Sequence, residues 1–110
     1  MTYANRPDQL SPIFAALADP TRRQIFDDLR ARPQSVTELA NDRPVSRPAV
    51  SQHLKVLENA ELVFATPKGS HRIYATRPEG LDALRTYLNQ MWDQALAAYA
   101  AEISQQNTKR

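Results

Sequence analysis

The chain contains no cysteine and only two glycines, Gly69 and Gly80, among its 110 residues. Without thiols it has no disulfide framework, no thiol sensor and no cysteine nucleophile. With glycine confined to two isolated positions it has no glycine-rich loop to cradle a phosphate. Histidine is as scarce, with only His53 and His71. A specific transition-metal site needs three or four N, S or O ligands at workable spacing, and no such set is present. Ser51 and His53 are two residues apart, so on a helix their side chains diverge and do not pair as nucleophile and base. No apolar run approaches the roughly 20 residues of a membrane span. Residues 1–7 are polar and lack the apolar centre of a secretion signal. The expectation is a non-enzymatic, cytoplasmic protein with no cofactor and no metal.

What is present points to one small domain spanning residues 1–110. With 42% hydrophobic residues it can form a modest core, for which dimerisation is a natural source of extra burial. The most informative stretch runs from Val45 to Val63. Ser46 is a good N-cap, and Pro48 falls in the first helical turn, where its missing N–H costs nothing. Val50, Leu54 and Leu57 are spaced i, i+4, i+7 and form one buried stripe. At about 100° per residue, Pro48, Ser51, Gln52 and Lys55 face the opposite way. Before this helix, Ser35 to Ala40 reads as a short helix with a capping box, Ser35 as cap and Glu38 three residues on. Asn41-Asp42-Arg43-Pro44 breaks the chain between the two, so the pair reads as a helix-turn-helix. After it, Leu62–Thr66 and Arg72–Thr76 are strand candidates around the basic turn Pro67-Lys68-Gly69-Ser70-His71. The fold class is therefore mainly α with a small β-hairpin: a winged helix-turn-helix of about five helices and a two-stranded wing.

The remaining segments read as scaffold. Leu10, Ile13, Phe14 and Leu17 form an apolar stripe on a first helix. Asp19 caps a second helix with Pro20 at its first position, and Ile25, Phe26 and Leu29 face inward. Arg22 and Arg23 either touch phosphates or pair with Asp19 or Asp27. Asp27 and Asp28, being adjacent, do not form a chelate by themselves. Pro78-Glu79-Gly80 is a turn-like entry to a long last helix. From Leu81 its apolar positions are Leu84, Leu88, Met91, Trp92, Ala95, Leu96, Tyr99 and Ile103, a helical period held for more than five turns. So long a stripe on so small a domain reads as a dimer interface; the alternatives are intrachain packing or a ligand pocket around Met91 and Trp92.

Charge is distributed unevenly. Residues 42–77 carry Arg43, Arg47, Lys55, Lys68, Arg72 and Arg77 against Asp42, Glu58 and Glu61, a net +3. Residues 78–106 carry Arg85 against Glu79, Asp82, Asp93 and Glu102, a net −3. The positive charge thus sits on the segment suited to meet phosphates. The candidate DNA-binding residues are Arg47, Ser51, Gln52, Lys55, Lys68 and Arg72. Among them Gln52 is the base reader, since its amide fits adenine N6 and N7. Ser51 and Lys55 reach base edges or phosphates, while Arg47, Lys68 and Arg72 hold phosphates or the minor groove. The competing reading is a winged-helix module for protein interaction, which an acidic or apolar outer face would favour and this basic polar face does not.

Two stretches resemble the ArsR-type family of bacterial winged-helix repressors. One is Phe14-Ala15-Ala16-Leu17-Ala18-Asp19-Pro20-Thr21-Arg22-Arg23-Gln24-Ile25. The other is Ser51-x-His53-Leu54-x-x-Leu57 running on to Leu62-Val63, and with Gly69 and Tyr74 the likeness covers roughly residues 10–76. The resemblance implies a homodimeric repressor on an inverted-repeat DNA operator, acting by promoter occlusion. It implies a DNA-binding core over about 8–76 and a dimerisation helix over about 79–105. It also implies a two-fold interface built from first and last helices, here Leu10, Phe14, Leu88, Met91, Trp92, Leu96 and Tyr99. Metal-sensing relatives place Cys pairs near the helix before the recognition helix, or His and carboxylates on the last helix. Thr37 to Asp42 holds no Cys and the last helix no His, so the family's metal sites are not expected. No effector is read from the sequence, and a small-molecule-responsive regulator remains the other alternative. One departure stands out: Ala60-Glu61-Leu62 replaces the family's Ala-Gly-Leu. Glycine there closes the helix in a left-handed conformation, so with Glu61 the helix exit is expected to differ.

Overall fold

Three helices start on a side chain that accepts a free backbone N–H. In the computed structural model, which describes residues 8–108, Asp19 accepts from the Arg22 N–H at 2.9 Å, with Pro20 in the first turn. Ser35 accepts from the Glu38 N–H at 3.2 Å while the Glu38 carboxylate accepts from the Ser35 N–H at 2.9 Å, closing the expected capping box. Ser46 accepts from the Ala49 N–H at 3.2 Å. These caps open α2 (Pro20–Ala31), α3 (Val36–Ala40) and α4 (Arg47–Asn59); α1 (Leu10–Ala18) precedes them and α5 (Asp82–Thr108) ends the described chain.

The sheet is larger than the hairpin expected. β2 (Val63–Lys68) and β3 (His71–Thr76) pair antiparallel from Val63↔Thr76 to Lys68↔His71. That register leaves a two-residue turn, Gly69-Ser70, with Gly69 at φ +62° as the first central residue. A tight hairpin turn needs positive φ there to match the strand twist. A third strand, β1 (Gln34–Ser35), joins the far edge of β3 through Gln34↔Tyr74 and Ser35↔Ile73. The β2–β3 hairpin is the expected two-stranded wing, and β1 extends it to a three-stranded sheet in the order β1-β3-β2. Two residues are too few to display the alternation that marks a strand in sequence.

One core joins these elements. Ile25, Phe26 and Leu29 of α2 and Val50, Leu54 and Leu57 of α4 are buried as expected, with Leu39, Leu62, Val63 and Tyr74. The first-helix stripe divides between the core and the surface. Its buried positions are Ile13 and Ala16, Leu10 and Leu17 are half-buried, and Phe14 is 46% exposed. Phe14 turns instead to Tyr87 of α5, edge to face at 6.0 Å. Neither Arg22 nor Arg23 forms an ion pair with Asp19 or Asp27 among the described residues. Both reach back to the end of α1, donating to the carbonyls of Ala15, Ala16 and Leu17, which have no partner within the helix.

The exit from α4 holds a correction. Glu61 adopts φ +61°, the left-handed conformation that glycine usually supplies. Its N–H donates to the Glu58 carbonyl at 2.9 Å, and the Leu62 N–H donates to the Leu57 carbonyl at 3.0 Å. That pair of bonds is a Schellman closure, and the burial of Leu57 and Leu62 supplies its apolar contact. Glycine is required instead at position 80: a Cβ on Gly80 would lie 1.8 Å from the Glu61 carbonyl oxygen. Gly80 belongs to a 3₁₀ turn, Pro78–Leu81, that leads into α5.

Only the root of α5 touches this core. Leu81 and Leu84 pack against it, whereas every side chain from 85 to 106 is exposed. The helix rises about 1.5 Å per residue, so most of its length projects from the domain. The radius of gyration is accordingly 19.6 Å, against about 13 Å for a compact chain of 100 residues.

Two outcomes follow from the helix ends. Glu61→Gly should raise stability by about 1 kcal/mol, because glycine removes a left-handed penalty of about 1–2 kcal/mol less its own unfolded-state entropy. Gly80→Ala should lower it by about 1–3 kcal/mol through overpacking. Urea unfolding of both variants checks the pair. Separately, the Arg22 N–H bonded to Asp19 and the Ser35 N–H bonded to Glu38 hold both carboxyls below their ordinary values of 3.8 and 4.5. Each therefore stabilises the fold fully above its ordinary value and ceases to do so as pH falls through its lowered folded value. Asp19→Asn and Glu38→Gln should flatten the acid limb of a stability–pH curve while leaving its neutral shape unchanged.

Candidate nucleic-acid interface

The back of α4 fixes what its front presents. Val50, Leu54 and Leu57 have 0% exposure, so the helix has one allowed rotation about its axis. Ser51, Gln52 and Lys55 are exposed on the other side, as expected. Together with Arg72 of β3 they line one open cleft of about 680 Å³ between the recognition helix and the wing. Four of the six sequence candidates are thus brought to a single surface. Arg47 is exposed at the N-terminal end of α4 and does not line the cleft. Lys68 is also absent from its lining: it lies with Thr37, Glu38 and Ile73 along a neighbouring groove.

The sheet register explains that separation. Side chains alternate along a strand, and Arg72 shares a face of β3 with Tyr74, which also lines the cleft. Lys68, opposite His71, sits at the other edge of the turn. His71 borders both grooves. The cleft adds residues that the sequence reading did not select, notably Thr37 from α3, Asn59 from α4 and Ser70 from the turn. The neighbours of Thr37 in sequence place it on a helix, but its approach to the wing depends on β1, which has no local signature. Glu58, half-buried, is the carboxylate among the lining residues.

The positive segment divides into bound and unbound cations. Arg43 forms an ion pair with Asp28 and donates to the Leu39 carbonyl at 2.6 Å, so it serves the end of α3. Arg77 places its guanidinium 5.5 Å from the Phe64 ring centre. Arg47, Lys55, Lys68 and Arg72 are exposed and form no ion pair among the described residues. They form a set of cations directed to solvent around the polar face of α4, as a phosphate backbone requires. His53, at the edge of that face, is half-buried and lies 3.4 Å from an Arg22 guanidinium nitrogen. Among the described residues, no three His, Asp or Glu side chains cluster as a metal site, and no helix is long and apolar enough to cross a membrane.

Comparison with known proteins agrees with this geometry. Residues 19–64 match the family described as "Bacterial regulatory protein, arsR family". The HTH-type transcriptional regulator Rv2034 of Mycobacterium tuberculosis is 55% identical over 103 residues, covering 94% of each chain. The transcriptional repressor SdpR of Bacillus subtilis is 32% identical, covering 73% of this chain and 90% of its own. Among solved structures, an ArsR-like transcriptional regulator from Rhodococcus sp. RHA1 superposes with a TM-score of 0.71 at 36% identity, covering 89% of this chain and 92% of its own. The homodimeric winged helix-turn-helix DNA-binding domain Mb0332 of Mycobacterium bovis gives 0.63 at 25% identity, covering 84% and 93%.

The wing's position generates a salt test. Arg72→Ala and Lys68→Ala should each weaken binding to any duplex DNA and reduce the slope of log affinity against log salt by up to about one unit per lost phosphate contact. Salt titrations that retain the parent slope in both variants would remove the wing from the interface.

Proposed function

The chain belongs to the ArsR family of bacterial regulatory proteins and is a DNA-binding transcriptional regulator, and on that premise we propose that it is a homodimeric repressor acting by promoter occlusion. The observation that carries this reading is the face of α4: Ser51, Gln52 and Lys55 project from a helix whose back is fully buried. Such a helix enters a major groove as a rigid body. Gln52 reads adenine through its amide, Ser51 and Lys55 contact adjoining base edges or phosphates, and Arg47, Lys68 and Arg72 grip the backbone on either side. Neither a catalytic step nor a metal ion enters the proposal, and its compartment is the cytoplasm, where the operator is.

Dimerisation is supported by α5. Leu88, Met91, Trp92, Leu96 and Tyr99 are all exposed, Trp92 by 65% and Tyr99 by 64%. On the same helix Tyr87 meets exposed Phe14 of α1, where Leu10 is half-buried. An apolar surface of that extent marks an association site. The SdpR relative is named a repressor and the Mb0332 domain is described as homodimeric, and both descriptions favour the same reading here. A two-fold dimer sets its recognition helices about 34 Å apart, one turn of DNA, and so fits an inverted repeat.

Selection of bound sequences from random duplex DNA should return a palindromic operator; recovery of no consensus would overturn sequence-specific binding. On that operator, Gln52→Ala should cost about 1–3 kcal/mol while leaving binding to random DNA almost unchanged. Fluorescence anisotropy on both duplexes separates base reading from general attraction. Leu96→Asp should leave the monomer folded, since the side chain is exposed there, yet place an unpaired charge in the interface at a cost of several kcal/mol. Sedimentation equilibrium should then find a monomer that has lost operator binding, whereas a variant still dimeric at micromolar concentration would clear α5 of this role.

A further inference from the structure

Arg22 occupies the point where three helices meet. Its half-buried side chain leaves α2 and donates from Nε to the Ala16 carbonyl at 2.7 Å and from Nη2 to the Ala15 carbonyl at 3.0 Å, both in the last turns of α1. Its Nη1 lies 3.4 Å from Nδ1 of His53 on α4. A guanidinium has no lone pair to offer, so in this contact Arg22 is the donor and the imidazole nitrogen the acceptor. One rigid planar group therefore ties the end of α1 to the recognition helix. The tie falls at a sensitive place on each. His53 stands between Gln52, which faces solvent, and Leu54, which is fully buried. α1 bears Phe14, whose ring meets Tyr87 of α5.

We propose that Arg22 and His53 form a joint that fixes the recognition helix relative to the α1–α5 face, and through it the separation of the two half-sites a dimer reads. Arg22 is then a positioning residue and not a phosphate contact. Three of its five N–H donors, one on each nitrogen, are directed to protein acceptors, and the fork geometry sets direction as well as distance. A lysine keeps the charge but is a single point on a flexible stem, and does not span two carbonyls and an imidazole together. The proposal rests on the dimeric reading above.

The test measures affinity for the selected operator and for duplexes whose half-sites are moved one base pair closer or further apart. The parent should reject the altered spacings by on the order of tenfold or more. Arg22→Lys should bind the natural spacing more weakly and discriminate among the three by less than about threefold, with an unchanged salt slope. His53→Gln, which still offers an oxygen to Arg22, should retain the parent's preference, and His53→Leu should lose it. A merely structural role would lower the melting temperature and all three affinities together while leaving the preference intact. If Arg22→Lys keeps the sharp preference, the joint is refuted although the dimer stands. If the parent itself shows no spacing preference, the two-half-site reading fails and takes the joint with it. Should His53→Leu not fold, the lysine variant decides alone.

Discussion

Val50, Leu54 and Leu57 lie wholly inside the core, and the rest of the interface depends on that burial. Truncating one such side chain typically costs about 2–5 kcal/mol, a large fraction of the stability of a small domain. The stripe therefore allows α4 a single rotation. The same choice of rotation sends Ser51, Gln52 and Lys55 outward and brings them alongside Arg72. A polar side chain needs no specific partner to point outward; it needs only neighbours that must point in. Specificity here begins as a packing constraint.

Much of this was legible because it is local. A cap and its N–H are three residues apart, and a buried stripe repeats within two turns, so Ser35, Ser46, Asp19 and the three apolar positions of α4 declare themselves in order. The hidden parts depend on pairs distant in sequence. Arg43 reaches Asp28 across 15 residues and Arg22 reaches His53 across 31. Counted as sequence, Arg43 and Arg77 belong to the positive segment; in the fold, each is occupied by a partner of its own. Phe14 shows the limit of spacing alone. It has the spacing of a core residue, but Ile13 and Ala16 are the residues of α1 that are buried, while the Phe14 ring meets Tyr87 of α5.

Glu61 shows how a departure from the family's pattern can leave the architecture intact. The chain makes the left-handed turn without glycine, and the two closing hydrogen bonds with the buried pair Leu57 and Leu62 hold it there. Leu62 also accepts from the Arg77 N–H at 2.8 Å. The exit of the recognition helix, the end of the wing and the entry to α5 are thereby fastened at one place. A local conformational penalty is tolerated where several long-range contacts require the same geometry.

Ser35 takes part in two structures at once. Its hydroxyl caps α3 and its backbone pairs with Ile73 in the sheet. The wing is consequently anchored to the first helix of the helix-turn-helix by a strand of only two residues, and the hairpin turn beyond it is as short as a hairpin turn can usefully be. Little backbone freedom is left in that arm to be surrendered if, as proposed, it meets DNA. Ordering a loose segment on binding diminishes the net affinity; a pre-ordered arm avoids that loss, so the calorimetric signature of its contacts would be dominated by ion release and desolvation, with only a minor contribution from the folding of the arm itself.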